Sequence, residues 1–167
     1  MIARACEPFR VHVCPSRGYS SYTYIKRVAV DGRFSKVPDA KKIVILDFRD
    51  HDPSGIQMTE DLQTRFLRYS DRSIAVKRIA LTISQVRKYE LIPNPTKIAD
   101  SRTARYRESF GDKCWELDAI EPQELQEIVR HAIAARIEWS LWDEAKHWEE
   151  LDREKLIKRF RDAEIKI

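Results

Sequence analysis

The sequence predicts an α/β fold with a mostly parallel sheet and a C-terminal long-helix extension. Three observations carry this. Apolar runs of strand length alternate with stretches of helical periodicity through residues 1–120. One such run, "KKIVILDF", is apolar enough to be buried on both faces, the habit of a parallel strand. After Pro122 no Gly or Pro occurs, while Trp139, Leu141, Trp142, Trp148, Leu151, Leu156 and Phe160 recur among charges. The chain therefore divides into an α/β domain, 1–120, and a helical extension, 121–167.

Taken in order, "FRVHVCP" (9–15) reads as a strand and "YSSYTYIKRVAV" (19–30) as a helix. "KKIVILDF" (41–48) is the next strand. A helix follows from Pro53 to about Tyr69, with Ile56, Leu62, Phe66 and Leu67 as its apolar stripe. "SIAVKRIALT" (73–82) is a strand. Thr82 with Gln85 three residues on is a capping-box pattern, predicting a short helix through Glu90 that Pro93 and Pro95 terminate. "DKCWELDAI" (112–120) reads as a last strand, with Trp115, Leu117 and Ala119 on one face and Glu116 and Asp118 on the other. Glu121-Pro122 opens helical patterning that continues almost to the end, some forty residues.

Composition narrows the class. With 167 residues, 43% hydrophobic and 35% charged, the chain can bury a core and is not a disordered segment. No apolar run approaches the length needed to cross a bilayer, and "MIARACEPFR" lacks the apolar centre of a secretion signal, so a cytoplasmic location without a membrane partner is expected. Cys6, Cys14 and Cys114 are odd in number and lack a C-x-x-C pair, which favours reduced thiols. Residues 1–110 carry 21 Lys and Arg against 12 Asp and Glu, whereas 111–167 carry 10 against 15. A basic first part holding an acidic cluster suits a polyanion-binding site with a divalent cation; a solvated mixed-charge surface is the alternative.

The cluster is "LDFRDHDPSGIQM" (46–58), which crowds Asp47, Asp50 and Asp52 at the mouth of a strand. Functional groups gather at the carboxyl ends of parallel strands. Asp50 and Asp52, two apart in a turn, can offer oxygens to one hard cation, Mg²⁺ or Mn²⁺. Pro53 at the first helical position also makes Asp52 a candidate N-cap. Gly55 suits a close backbone approach, and the helix start favours an anion such as phosphate. Repulsion between the two acids predicts that removing them raises stability without metal.

A strand ending in D-x-D-P-x-G resembles the second signature of the Toprim domain, as found in the A subunit of type IIB topoisomerases, related double-strand-break enzymes and microbial proteins carrying "DHDPSG". "SRGYSSYTYIKR" (16–27) and "KRIALTISQVRKYELIPNP" (77–95) are similar to the segments flanking that signature, so the resemblance covers about residues 9–120. It implies a Toprim-like, Rossmann-like fold, with Asp50 and Asp52 as the metal-binding and catalytic carboxylates and Gly55 allowing the turn. It also implies metal-dependent making or breaking of phosphodiesters in nucleic acid. Asp47 lies outside the pattern and is read as solvent-facing, with orientation of Arg49 as the alternative. An aspartyl-phosphate at Asp47 is a further, less favoured reading, because the D-x-D-x-T/V acceptor pattern is lacking.

The family also uses a glutamate at the end of an earlier strand. Only eight residues precede the first strand read here, and Glu7 is the sole glutamate among them, so that strand is expected to be absent. No winged-helix segment with a nucleophilic tyrosine is recognisable, and Tyr19, Tyr22 and Tyr24 are read as packing residues. Three readings stay open: a shortened version of a longer protein, a partner chain that supplies the glutamate, or a domain that binds without catalysis. Glu116 and Asp118 are candidates for an additional carboxylate. Arg17, Gly18, Arg49, Ser54, Gly55, Lys97 and Arg102 are the candidate phosphate or nucleic-acid contacts, with Lys77 and Arg78 in the same basic rim and Asp100 as a helix cap. His51 is read as a polar turn residue, with sensing of metal or phosphate as the alternative. The tail's apolar stripe requires cover, either from the α/β body or from a second copy in a homodimer.

Overall fold

The computed structural model describes residues 1–16, 18–28, 38, 41–95 and 103–164. Two compact units divide the chain, Met1–Ala132 and Ile133–Ile167.

The first unit is mixed α/β. Helix α1 (Ile2–Cys6) runs into a 3₁₀ turn at Glu7–Phe9. Residues 11–16 form no strand, contrary to the reading of 9–15. Alternation there puts Val11 and Val13 in phase, yet Val11 is exposed and among the described residues no neighbouring strand satisfies the backbone. Helix α2 (Tyr22–Lys26) starts where the Ser21 hydroxyl accepts the Tyr24 N–H, at 3.1 Å. Strand β1 (Ile43–Phe48) leads into α3 (Pro53–Tyr69), whose bounds match the sequence reading. Of its expected stripe, Leu62 and Phe66 are buried, whereas Leu67 is 65% exposed.

Strand β2 (Ile74–Ala80) returns beside β1, in parallel, with Ile43 opposite Ile74 and Asp47 opposite Arg78. Helix α4 (Ile83–Lys88) carries the expected capping box: the Thr82 hydroxyl accepts the Gln85 N–H, and the Gln85 side chain accepts the Thr82 N–H. Strand β3 (Asn94–Pro95), helix α5 (Thr103–Phe110) and strand β4 (Lys113–Cys114) follow, β3 and β4 forming a separate antiparallel pair. The predicted strand over 112–120 is thus cut short. After Trp115 the chain turns into a 3₁₀ helix, Leu117–Ala119, because Ile120 rather than Leu117 or Ala119 is the fully buried residue.

Among the described residues the parallel sheet has only these two strands. Residues 74 and 76 turn their backbone groups away from β1, and the Gln63 amide of α3 takes both: its nitrogen donates to the Ile74 carbonyl (3.3 Å) and its oxygen accepts the Val76 N–H (2.7 Å). With so small a sheet β1 is not buried on both faces, and Val44 is exposed. Two apolar clusters complete the unit. Ile25, Ile43, Leu62, Phe66 and Ile74 form one; Ala80, Leu81, Val86, Trp115, Ile120 and Leu125 form the other.

Helix α6 (Pro122–Ala134) begins at the predicted proline. The helical patterning read from Pro122 onward is realised as two helices separated by a turn, the second being the expected long C-terminal helix. Two tight bonds close the chain into a turn, Arg136 N–H to the Ile133 carbonyl (2.9 Å) and Ile137 N–H to that of Ala134 (3.2 Å). Helix α7 (Trp139–Glu164) is then a separate element of 26 residues, roughly 39 Å long at 1.5 Å per residue.

Candidate metal and phosphate site

The site is built where β1 ends. The β1–β2 register shifts between Asp47 and Phe48, and pairing continues one step further through Arg49, whose N–H meets the Ala80 carbonyl and whose carbonyl accepts the Leu81 N–H, both at 2.7 Å. His51 then forms an isolated antiparallel bridge with Trp115. Asp50 is therefore an exposed residue held between two anchored neighbours.

Asp50 Oδ1 accepts the backbone N–H of Leu117 at 2.7 Å, and Asp52 Oδ1 accepts that of Gly55 at 2.5 Å. Asp52 thus caps α3, and each carboxylate keeps Oδ2 with no hydrogen bond among the described residues. Asp50, Asp52, Ser54, Gly55, Gly18 and Arg49 line one depression of about 330 Å³, together with Ser16, Phe48, Met58 and Leu117. Gly55 is obligatory there, because a Cβ would overlap the Asp50 carbonyl oxygen and stand 3.0 Å from Asp52 Oδ1. Gly18 sits at φ +72°, the left-handed region that favours glycine.

Arg78 fixes this loop from below. Its Nη1 donates to the Gly55 carbonyl (3.0 Å) and Thr59 Oγ1 (2.8 Å), Nη2 to the carbonyls of Arg49 (3.1 Å) and Asp50, and Nε to that of Leu81 (3.0 Å). Burial lowers its pKa from the ordinary value and nearby Arg49 acts the same way, while Asp47, Asp52 and Asp50 oppose the shift. Arg78 is a scaffold cation rather than part of a solvated rim.

Asp47 is not solvent-facing. It is 6% exposed, with Arg49 Nε on Oδ1 (2.9 Å) and the Thr59 hydroxyl on Oδ2 (2.6 Å). Both oxygens are engaged, which removes the aspartyl-phosphate reading. Arg49 reaches the depression, but its guanidinium is committed to Asp47 and to Met58 Sδ (3.3 Å).

His51 is 2% exposed, so it is not a polar turn residue. Its Nδ1 lies 2.8 Å from the Tyr106 hydroxyl, inside a cage with Phe110 and Trp115. Burial, with the positive charge of Arg78 second, pushes its pKa down to about 4, so the ring is neutral. Burial also raises the Tyr106 pKa, keeping the phenol protonated to donate toward the His51 and Lys113 carbonyls.

Glu116 and Asp118 are both exposed on the 3₁₀ segment. The residue between them reaches Asp50 through its backbone N–H, so this segment supplies a donor where a carboxylate was expected. Among the described residues no group of three His, Cys, Asp or Glu side chains is placed to hold a metal ion. Asp50 and Asp52 offer two carboxylate oxygens, which fit a hard cation that completes its shell with water. Arg17, Lys97, Asp100 and Arg102 lie outside the described residues.

The sequence reading missed Arg78 as the loop's scaffold, the Leu117 N–H and the His51–Tyr106 pair. A signal existed for the first. In "AVKRIA" two adjacent cations interrupt a strand, and side-chain alternation must turn one of them inward. No protein-family model, curated protein or solved structure matches the chain. Among the described residues no helix is long and apolar enough to cross a membrane.

Proposed function

We propose that the 50–55 loop is a Toprim-type site for Mg²⁺ or Mn²⁺ through which this domain binds nucleic acid. One observation supports it above others: Asp50 and Asp52 are each anchored by a backbone N–H on one oxygen and keep the other for a ligand. Two carboxylates pinned this way pay little ordering cost on meeting a cation. Asp50 and Asp52 would hold the ion, which when bound supplies positive charge to phosphate oxygens. Ser54, in the first turn of the seventeen-residue α3, supplies a backbone N–H and a positive helix end beside it, the Gly55 N–H being held by Asp52. The excess of Lys and Arg in residues 1–110 supports a polyanionic partner.

Binding without cleavage is the form we favour. Among the described residues no third acid or histidine joins the pair as a general acid/base; for cleavage, a partner chain would supply it.

Calorimetry with Mn²⁺ tests the cation site. The wild-type chain binds, and the Asp50→Asn, Asp52→Asn double variant does not; equal binding by both would reject the assignment. Duplex DNA, single-stranded DNA and RNA are then titrated with and without Mn²⁺. Strand scission by the chain alone would overturn the non-catalytic form.

A further inference from the structure

We propose that the surface running from the 50–55 depression over Tyr19 to Tyr22 is a stacking track for a single, unpaired nucleic-acid strand, with those two rings as its platforms. The inference rests on the nucleic-acid reading above and narrows it to one form of the polymer. Tyr19, Tyr22 and Tyr24 were all expected to pack. The structure separates them: Tyr24 packs against the first apolar cluster, whereas Tyr19 is 39% and Tyr22 49% exposed.

The track is continuous with the candidate site. Ser16 and Gly18 line the depression beside Asp50 and Asp52. Tyr19 comes next, and its hydroxyl donates to the side-chain oxygen of Gln57, about one turn into α3 from Ser54. Arg65 Nη1 then donates to the Ser20 carbonyl (3.1 Å), and the Tyr22 ring meets that of Tyr69 with centres 4.8 Å apart. The contacts advance from Gln57 through Arg65 to Tyr69, so the 19–22 segment is laid along α3 and leads away from the depression.

Stacking requires an open ring face with cations nearby. The Tyr22 and Tyr69 rings stand at 82°, one presenting its edge to the face of the other. Whichever supplies the edge, Tyr69 leaves at least one face of the Tyr22 ring uncovered. Lys26 is exposed four residues after Tyr22, on the same side of α2. Arg68 is exposed too, its guanidinium 5.6 Å from the centre of the Tyr69 ring. Residues 8–30 hold Arg10, Arg17, Lys26 and Arg27 and no Asp or Glu. On the facing length of α3, Glu60 and Asp61 are ion-paired with Arg105 and Arg65, and Asp71 past the helix end is the other acid of that stretch. The charge suits a polyanion. Open aromatic faces suit one whose bases are not already stacked in a duplex, since a duplex offers this surface only its phosphates.

Fluorescence anisotropy of the full chain at about 50 mM salt, with labelled strands of about 12 nucleotides, reads the preference. The wild type binds unpaired DNA or RNA about tenfold or more tighter than the same DNA in a duplex. Tyr22→Ala weakens single-strand binding by about tenfold, the loss of one stacked base, and leaves duplex binding and Mn²⁺ affinity unchanged. Tyr22→Phe keeps the ring and binds as wild type. Tyr22→Leu fills the place against Tyr69 without a ring, so it carries the test where Tyr22→Ala does not fold. A strand bearing 5-bromouracil photocrosslinks to the peptide containing Tyr19 and Tyr22. Equal affinity for single strand and duplex, or single-strand binding that survives Tyr22→Leu, overturns this inference and leaves the nucleic-acid reading in place. Absence of binding to every strand overturns both.

Discussion

Arg78 donates to the backbone carbonyl of Asp50, so the loop that presents two anions is tied down by a partly buried cation that touches neither of their carboxylates. The geometry separates support from ligation. Arg78→Lys keeps a charge but loses the planar fork that reaches Leu81, Gly55, Arg49 and Asp50 together. We expect it to cost about 2–4 kcal/mol in urea unfolding and to weaken Mn²⁺ binding. Unchanged unfolding with unchanged cation affinity would show that the clamp is dispensable.

Asp50 accepts the Leu117 N–H and Asp52 caps α3, so we expect the acids to stabilise the loop even without metal, the opposite of what their mutual repulsion predicts. Asp52 caps α3, so Asp52→Ala should cost about 1 kcal/mol. Asp52→Asn should keep the cap and lose the cation. Urea unfolding with chelator present, set beside the Mn²⁺ titration, distinguishes these two effects in the same pair of proteins.

Gly55→Ala drives a methyl group into the Asp50 carbonyl, a backbone atom that cannot swing aside. A loss of about 2–3 kcal/mol is expected, with the cation site displaced. Thermal unfolding gives the first quantity and Mn²⁺ affinity the second.

His51 makes stability depend on pH below neutrality. Its folded pKa is about 4, against about 6.5 for the unfolded chain. The unfolded state therefore takes up a proton first, so the contribution is full above the unfolded value and is lost as pH falls toward 4. The loss amounts to about 3 kcal/mol over that window. His51→Gln sacrifices some stability at neutral pH and should flatten this part of the profile. Parallel profiles for the two proteins would assign the acid sensitivity elsewhere.

Nucleic-acid affinity should be strongly salt-dependent if several phosphates are neutralised. From about 50 to 200 mM salt we expect a fall of tenfold or more, linear in the logarithm of concentration. A flat response in fluorescence anisotropy would argue against the proposed partner.

The sequence was most legible where one local rule decided the outcome. Pro53 after Asp52 defined the start of α3, and Thr82 with Gln85 defined that of α4, because caps are settled within four residues. It was least legible where distant partners decide. Residues 9–15 alternate like a strand but pair with none among the described residues, and 112–120 ends as a 3₁₀ turn once Leu117 donates to Asp50. In the candidate site, the D-x-D-P-x-G spacing and its resemblance pointed to Asp50, Asp52 and Gly55, and the structure places all three on one depression. Burial of Asp47 and His51 was not legible, since each depends on side chains far along the chain, Thr59 and Tyr106.

The Gln63 amide has a consequence outside the site. A parallel strand with an open edge is a template on which any extended chain can add, the first step toward fibres and insoluble assemblies. By occupying the Ile74 carbonyl and the Val76 N–H, one side chain removes two adjacent rungs of that template. Resistance to aggregation should therefore depend partly on a residue that no assay of binding would single out. Gln63→Leu, which would pack acceptably on α3 while leaving both rungs vacant, should bring faster thioflavin-positive aggregation on mild heating.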